Sequence, residues 1–247
     1  VSGETEINIS GDSTIKSASG GKYGGAGIGS GQGVVHYDDD TWEMIIDKKT
    51  VGNVTIEGNA KIENAKSGDG GSGIGGGPIG IGNVIIRGNA QIGNATGGGE
   101  GAGIGGGVYG TGGVTIEGNV TIENAKGGMG AAGIGGGAES EPDVDGNGNE
   151  TGNTISIQGT EAGSPNITAK GGTASDDGQL SGGAAIGSGS EGDYSSPPTD
   201  TPDTFKTIIR ITDSNVTASS GPSAAIGSGS YSTNATEIHI NGGKIEA

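Results

Sequence analysis

One unit of sequence occurs three times in nearly the same form, and it constrains the fold more than any other feature of the chain. It spans residues 52–77, 82–107 and 112–137, so its period is 30 residues. A fixed repeat of about 20–50 residues is typical of a solenoid or a propeller. The repeat therefore predicts one domain, over residues 1–247, in which each unit packs mainly against its neighbours.

Each unit contains three short segments that have the sequence pattern of β-strands. In the first unit Val54 and Ile56 alternate with polar residues, and the same alternation returns at Ala60 and Ile62. Alternation with a period of two predicts a strand with one buried face. Ile74 lies between glycines and forms a third inward-facing position. These segments are too short for a propeller blade, so we expect each to stack on its counterpart in the next unit.

Such stacking predicts an all-β fold, a single-stranded right-handed parallel β-helix of about six to seven coils. Parallel connections within a sheet are overwhelmingly right-handed, which sets the expected hand. The 60 glycines suit this fold, because corners need backbone angles that glycine adopts without a Cβ penalty. Isoleucine is the dominant aliphatic residue, and β-branched side chains pack well on a pleated surface.

Two sets of asparagines recur at the repeat period, next to the predicted corners. Asparagine side chains that stack along an axis form hydrogen-bonded ladders. We therefore predict two amide ladders with a structural role. The sets are Asn59, Asn89 and Asn119, and Asn64, Asn94 and Asn124.

Three insertions interrupt the repeat, at residues 32–51, 138–151 and 190–206. Each follows an Ile–Gly–(Gly/Ser)–Gly segment. Insertions at one position of a solenoid repeat emerge on one side of it, and loops on a rigid scaffold often carry function. We therefore predict that the three insertions cluster at one corner and hold the functional residues.

The first and third insertions contain the candidate ligand-binding residues. Aromatic rings stack on the apolar faces of sugars, while carboxylates bind sugar hydroxyls or calcium. The alternative is a cap or a small satellite core formed by Trp42 with residues 44–46, and the segment 44–46 is expected to be buried in either case. The candidates are His36, Tyr37, Asp39, Trp42 and Tyr194.

The second insertion contains oxygen ligands at alternate positions followed by a glycine, which resembles the start of a calcium-binding loop. The twelfth position of such a loop would be Thr154 instead of glutamate, and a solvated acidic turn is the alternative. Calcium is the cofactor that this pattern predicts. The candidate ligands are Asp143, Asp145, Asn147, Asn149 and Glu150.

Charge and composition limit the classes of partner. The formal net charge of −17 disfavours nucleic acid and anionic membrane surfaces. The chain has no cysteine, so it offers no disulfide framework. No apolar run reaches the length of a membrane span, so no membrane insertion is expected.

The strand pattern Gly-x-Val-x-Ile-x-Gly-Asn and the segment Ala-Gly-Ile-Gly-Gly-Gly resemble glycine-rich, pectate-lyase-like β-helix surface proteins of Gram-positive bacteria. The resemblance covers most of the chain and implies an extracellular or cell-surface location. Some relatives of this type bind plant polysaccharides and carry structural calcium. No individual binding residue can be transferred, because the insertions match no known motif.

Three functions follow as hypotheses. The first is a non-catalytic glycan-binding or adhesive module, a monomeric part of a larger secreted or cell-surface protein, which contacts a polysaccharide or a host or plant glycan. The second is a polysaccharide lyase or hydrolase, which needs a basic residue beside a bound uronate or a pair of carboxylates. Basic residues number only 12, so we expect no enzyme activity. The third is a stalk without a ligand.

Overall fold

The computed structural model describes residues 4–22, 24–42, 44–140, 143–144, 150–174, 182–191, 206–230, 232 and 235–247, and every regular element in them is a β-strand. In chain order the strands are β1 (Glu4–Ile9), β2 (Thr14–Ile15), β3 (Ala18–Ser19), β4 (Ile28–Gly29), β5 (Val34–Tyr37), β6 (Met44–Lys48), β7 (Thr50–Ile56), β8 (Lys61–Lys66), β9 (Ile74–Gly75), β10 (Gly80–Gly88), β11 (Gln91–Thr96), β12 (Ile104–Gly105) and β13 (Gly112–Gly118). They continue as β14 (Thr121–Lys126), β15 (Ile134–Gly135), β16 (Asp143–Val144), β17 (Glu150–Thr151), β18 (Thr154–Gln158), β19 (Asn166–Lys170), β20 (Ile186–Gly187), β21 (Lys206–Thr212), β22 (Asn215–Ser219), β23 (Ile226–Gly227), β24 (Ala235–Asn241) and β25 (Lys244–Glu246).

Three parallel sheets run through the molecule, and each coil of the chain adds strands to them in turn. Sheet 1 has the order β1-β7-β10-β13-β18-β21-β24. Sheet 2 has the order β2-β8-β11-β14-β19-β22-β25, with β3 also paired to β8, and sheet 3 has the order β23-β20-β15-β12-β9-β4. Coils 1 to 6 contribute to all three sheets, and β24 and β25 begin coil 7. The prediction of a parallel β-helix is confirmed.

The stacking is in register at the repeat period. Ile104 pairs with Ile74 on one side and with Ile134 on the other. These three side chains are fully buried, as are the isoleucines that form the interior columns of sheets 1 and 2 in coils 2 to 4. Because each coil buries its few aliphatic side chains against identical ones above and below, a thin core is sufficient.

The glycines of sheet 3 allow backbones to approach closely. Gly75, Gly105 and Gly135 have φ angles of +129°, +130° and +134°. A Cβ atom on Gly105 would lie 2.0 Å from the carbonyl oxygen of Gly135. These positions therefore require glycine both for their backbone conformation and for lack of space.

Both predicted asparagine ladders are present. Asn119 Nδ2 donates to Asn89 Oδ1 at 3.2 Å, and Asn89 Nδ2 donates to Asn59 Oδ1 at 3.1 Å. The second ladder links Asn124, Asn94 and Asn64 at 3.2 and 3.0 Å. A third ladder, on sheet 1, was not predicted from the sequence. In it Asn83 Nδ2 donates to Asn53 Oδ1 at 3.0 Å.

The ladders on sheet 1 and at the 59/89/119 corner end on carboxylates of coil 1. Asn53 Nδ2 donates to Glu4 Oε1 and Asn59 Nδ2 donates to Asp12 Oδ1, both at 2.8 Å. An ionised carboxylate can only accept hydrogen bonds, so the amide nitrogen must face it. The carboxylates therefore fix the direction of both ladders, with amide oxygens directed towards the later coils.

Candidate functional site

The three insertions connect a strand of sheet 3 to the next strand of sheet 1. They lie between β4 and β7, between β15 and β18, and between β20 and β21. Coils 2 and 3 make the same connection by short turns, which contain Ile79 and Tyr109 in left-handed backbone. Because β7 begins at Thr50, residues 50–51 of the first predicted insertion belong to the coil. That the three insertions lie together stays a prediction.

The first insertion folds into an antiparallel hairpin of β5 and β6. Val35 pairs with Ile46, His36 with Ile45, and Tyr37 with Met44. The base of the hairpin is attached to coil 2, since Gly33 N donates to Pro78 O at 2.8 Å. The hairpin is therefore anchored on the β-helix at the corner that precedes sheet 1.

The tip of the hairpin is a turn organised by Asp38. Asp38 Oδ1 accepts hydrogen bonds from Thr41 N at 2.8 Å, Asp40 N at 2.9 Å and Thr41 Oγ1 at 3.1 Å. These bonds hold the pKa of Asp38 below its usual value, and the bonds from the Thr41 and Asp40 backbone amides contribute most to the shift. Trp42 N donates to Asp38 O at 2.9 Å. The turn thus fixes the backbone on which Trp42 is presented.

Two aromatic side chains of the hairpin are open to solvent. Trp42 is 80% exposed and Tyr37 is 57% exposed. Trp42 has a φ angle of +59°, a left-handed conformation that is uncommon for a bulky residue and that marks a constrained site. Neither ring is part of a satellite core, so that alternative for Trp42 is wrong.

The structure also corrects the expected burial of residues 44–46. Met44 and Ile46 are only half-buried, and Ile45 is 40% exposed. The physical reason is the hairpin itself, because its alternating side chains point to opposite faces and only one face is partly covered.

His36 and Asp39 lie on the same hairpin. His36 Nδ1 contacts Asp47 Oδ1 at 2.8 Å, and both side chains are exposed. Because the carboxylate accepts, a neutral His36 carries its proton on Nδ1 and offers Nε2 as an acceptor. Asp39 is exposed next to the turn. The hairpin thus combines four of the predicted ligand-binding residues, with stacking surfaces and hydrogen-bonding groups.

The remaining predicted site residues lie largely outside the described part of the chain. Asp143 and Glu150 fall in β16 and β17, a short antiparallel pair in which Asp143 is opposite Thr151 and Val144 is opposite Glu150. The other candidates, Asp145, Asn147, Asn149 and Tyr194, lie outside the described residues. The calcium loop therefore stays a prediction. Within the described residues, no group of three or more acidic or histidine side chains could hold a metal ion.

A groove of about 480 Å³ lies on the outward face of sheet 1 and was not predicted from the sequence. We call it the sheet 1 groove. It crosses the strands of coils 1 to 5. Its lining residues are Glu6, Asn8, Asn53, Val54, Thr55, Asn83, Val84, Ile85, Gly113, Thr115 and Thr154.

One feature of the sequence could have indicated the sheet 1 groove, namely a glycine at a repeat position that is otherwise asparagine. Asn53 and Asn83 are at equivalent positions of the first two units, and the third unit has Gly113 there. The structure places Gly113 between Asn83 and Thr154 in register. A column of side chains that is interrupted by glycine leaves a gap on the sheet surface, and that is where the groove lies.

Comparison with known proteins supports the fold. A family model described as a beta helix repeat matches residues 7–32 and 209–230. These segments belong to coils 1 and 6, outside the three nearly identical units. The chain has a parallel β-helix fold. No curated protein and no solved structure matches it significantly. In the described part of this β-helix protein, no helix is long and apolar enough to cross a membrane.

Proposed function

We propose that this β-helix protein is a non-catalytic carbohydrate-binding or adhesive module of a secreted or cell-surface bacterial protein. The observation that carries the proposal is the constrained exposure of Trp42 at the tip of the β5–β6 hairpin. Tryptophan and tyrosine are enriched at binding interfaces, because each combines a large apolar ring with a polar group. Tyr37 adds a second exposed ring on the same hairpin.

The polar groups around the two rings suit the hydroxyl groups of a saccharide. The indole N–H of Trp42 can donate, while His36 Nε2 and the Asp39 carboxylate can accept. The Asp38 turn restricts the backbone before any ligand arrives, which lowers the entropy lost on binding. A sugar ring stacked on Trp42 would then be oriented by hydrogen bonds from its neighbours.

The test is glycan-array binding of the intact chain and of Trp42→Ala. We expect the variant to lose binding by about two- to tenfold, because stacking on one aromatic ring contributes about 0.5–1.5 kcal/mol. Ile240→Ala is the matched control, since Ile240 is also an exposed apolar residue, 50% accessible, but lies on coil 7. Equal binding by wild type and Trp42→Ala would remove the hairpin from the site.

We further propose that calcium assists this function through the loop at 143–150. Oxygen ligands at alternate positions favour calcium over softer metals. The array is repeated with a chelator and with Asp145→Ala. Loss of binding in both arms would support a calcium requirement, and unchanged binding in both would exclude it.

A further inference from the structure

The sheet 1 groove is a second place where a ligand fits, and its features are independent of the hairpin. It lies over Gly113. This glycine is the one member without a side chain in a column of residues in register on sheet 1, which contains Glu6, Asn53, Asn83, Gly113 and Thr154. A volume of about 480 Å³ lies within the usual range of ligand pockets. The missing side chain therefore opens a space of useful size.

The direction of the asparagine ladder leaves a hydrogen-bond acceptor in this space. Glu4 accepts from Asn53, and Asn53 accepts from Asn83, so the amide oxygen of Asn83 must face the next coil. The next residue in register is Gly113, which has no side chain to donate. A Cβ atom built on Gly113 would lie 2.9 Å from Asn83 Oδ1, so this oxygen faces the gap directly.

The floor of the groove has an apolar element beside this acceptor. Ile85 is in register with Thr55 and Thr115, and it is 40% exposed on the outward face of sheet 1. An isoleucine between two threonines offers a small platform for the apolar face of a sugar ring. The threonine hydroxyls can both donate and accept hydrogen bonds.

The charge of the lining selects against anionic ligands. Glu6 is the only charged side chain among the lining residues, and it is negative. In the adjoining column the guanidinium of Arg87 is bound to Glu57 at 2.6 Å. Arg210 lies outside the lining, two strands beyond Thr115 in the column that runs through Ser156. A carboxylated sugar would meet a carboxylate and an amide oxygen, with no cation among the lining residues. A neutral sugar meets acceptors, hydroxyls and an apolar side chain.

We propose that the sheet 1 groove binds one segment of a neutral, uncharged polysaccharide, with a hydroxyl donated to Asn83 Oδ1 and a ring face on Ile85. The proposal rests on the carbohydrate-binding function proposed above and names its ligand class. It adds a binding site on the β-helix itself. The two sites are separable, because each can be removed by one substitution.

The experiment is isothermal titration of the full chain with short neutral gluco-, manno- and galacto-oligosaccharides and with oligogalacturonate. Gly113→Asn fills the gap and lets a new amide donate to Asn83, so it extends the ladder while it blocks the groove. The backbone at Gly113 is not left-handed, and only the end of the Asn83 side chain must shift. Gly221→Asn is the matched control, because a Cβ there meets nothing within 4 Å.

We expect a neutral oligosaccharide to bind, oligogalacturonate to bind at least about tenfold more weakly, and Gly113→Asn to lose about tenfold in affinity with an undiminished melting temperature. Gly221→Asn should bind as wild type does. A folded Gly113→Asn with unchanged affinity would overturn the groove proposal, and so would tighter binding of oligogalacturonate.

Trp42→Ala separates this result from the proposed function. Loss of affinity in Trp42→Ala alone would leave the hairpin as the site and exclude the groove. Loss in Gly113→Asn alone would assign the ligand to the groove and exclude the hairpin. Absence of binding by every saccharide tested would overturn both proposals.

Discussion

Coils 2 to 4 and coils 5 and 6 build the same three sheets from different sequences. Coils 2 to 4 are nearly identical units joined by asparagine ladders. In coils 5 and 6 the inward isoleucines persist, as in the register Ile116–Ile157–Ile211, but the ladders stop. Asn166 and Asn215 lie in register in β19 and β22, yet their side chains make no hydrogen bond with the described residues.

The transition has a local cause in sheet 2. In coil 2 both Glu63 and Asn64 face outward, so Ala65 and not Asn64 follows Ile62 in the interior. The corresponding strand of coil 5, β19, has one residue fewer, and the register shifts between Ile122 and Ala125. Asn124 is therefore the last member of its ladder, and its Oδ1 atom is buried without a hydrogen-bond partner among the described residues.

This comparison teaches that the interior and the surface of the repeat have separate roles. Inward aliphatic columns and the Ile–Gly segments of sheet 3 are sufficient for a coil. The outward ladders are an additional stabilisation that depends on which side chains occupy the equivalent outward positions of successive coils. Interior substitutions should therefore cost the same in both regions, while surface substitutions should distinguish them.

The largest effect is expected at the glycines of sheet 3. Gly105→Ala and Gly187→Ala each place a Cβ about 2 Å from a carbonyl oxygen of the next coil, at 2.0 and 1.7 Å respectively. Both also have positive φ angles. We expect each variant to lose more than about 3 kcal/mol of unfolding free energy, or not to fold. Urea unfolding followed by circular dichroism tests this, and Gly221→Ala is the control. A mild effect at Gly187 alone would mean that coil 5 is packed differently.

Next come the interior isoleucines, for which Ile116→Ala in coil 4 is compared with Ile157→Ala in coil 5. Both side chains are almost fully buried and lie in register. Each substitution should cost about 2–5 kcal/mol, because it removes buried methylenes and leaves a cavity. The same unfolding measurement applies. A difference of more than about 2 kcal/mol between the two variants would contradict the equivalence of the two interiors.

The ladders should show the opposite behaviour. Asn89→Ala removes the hydrogen bonds to Asn59 and Asn119 and should cost about 1–2 kcal/mol. Asn215→Ala in coil 6 removes no side-chain hydrogen bond within the described part of the chain and should stay within about 0.5 kcal/mol of wild type. Equal melting temperatures for the two variants would show that the ladders contribute no stability.

The smallest effect is the pH dependence of coils 6 and 7, where ion pairs take the place of amide ladders. Hydrogen bonds from Lys206 and His239 lower the pKa of Glu237 to about 2. Because the folded pKa is depressed, the contribution is complete above the usual value of 4.5 and is lost as the pH falls through about 2. The protection of the Ile238 amide, taken as its hydrogen exchange relative to the intrinsic rate at the same pH, should therefore fall in that window in wild type but not in Glu237→Gln. An identical profile in both proteins would rule out this role of the carboxylate.

Much of the fold could be predicted from the sequence, because the repeat period and the alternation of apolar residues define which side chains stack. The outward orientation of both Glu63 and Asn64 could not be predicted, since a strict alternation of inward and outward residues would place Asn64 in the interior. The hairpin was also missed, although two β-prone segments flank the Asp38–Thr41 turn. The exposure of Trp42 depends on the orientation of that hairpin relative to the coil, and no local sequence pattern specifies this orientation. The sheet 1 groove depends on Gly113 lying between side chains that are distant in sequence.

The functional account depends on Trp42, and the chain offers a direct way to test it because Trp42 is its only tryptophan. Fluorescence of the intact chain can be titrated with the neutral oligosaccharide that binds best by calorimetry. We expect a saturable change in emission, with the same dissociation constant as the calorimetric value, because a sugar stacked on the ring replaces water. Calorimetric binding without any change in Trp42 emission would contradict a hairpin-centred site.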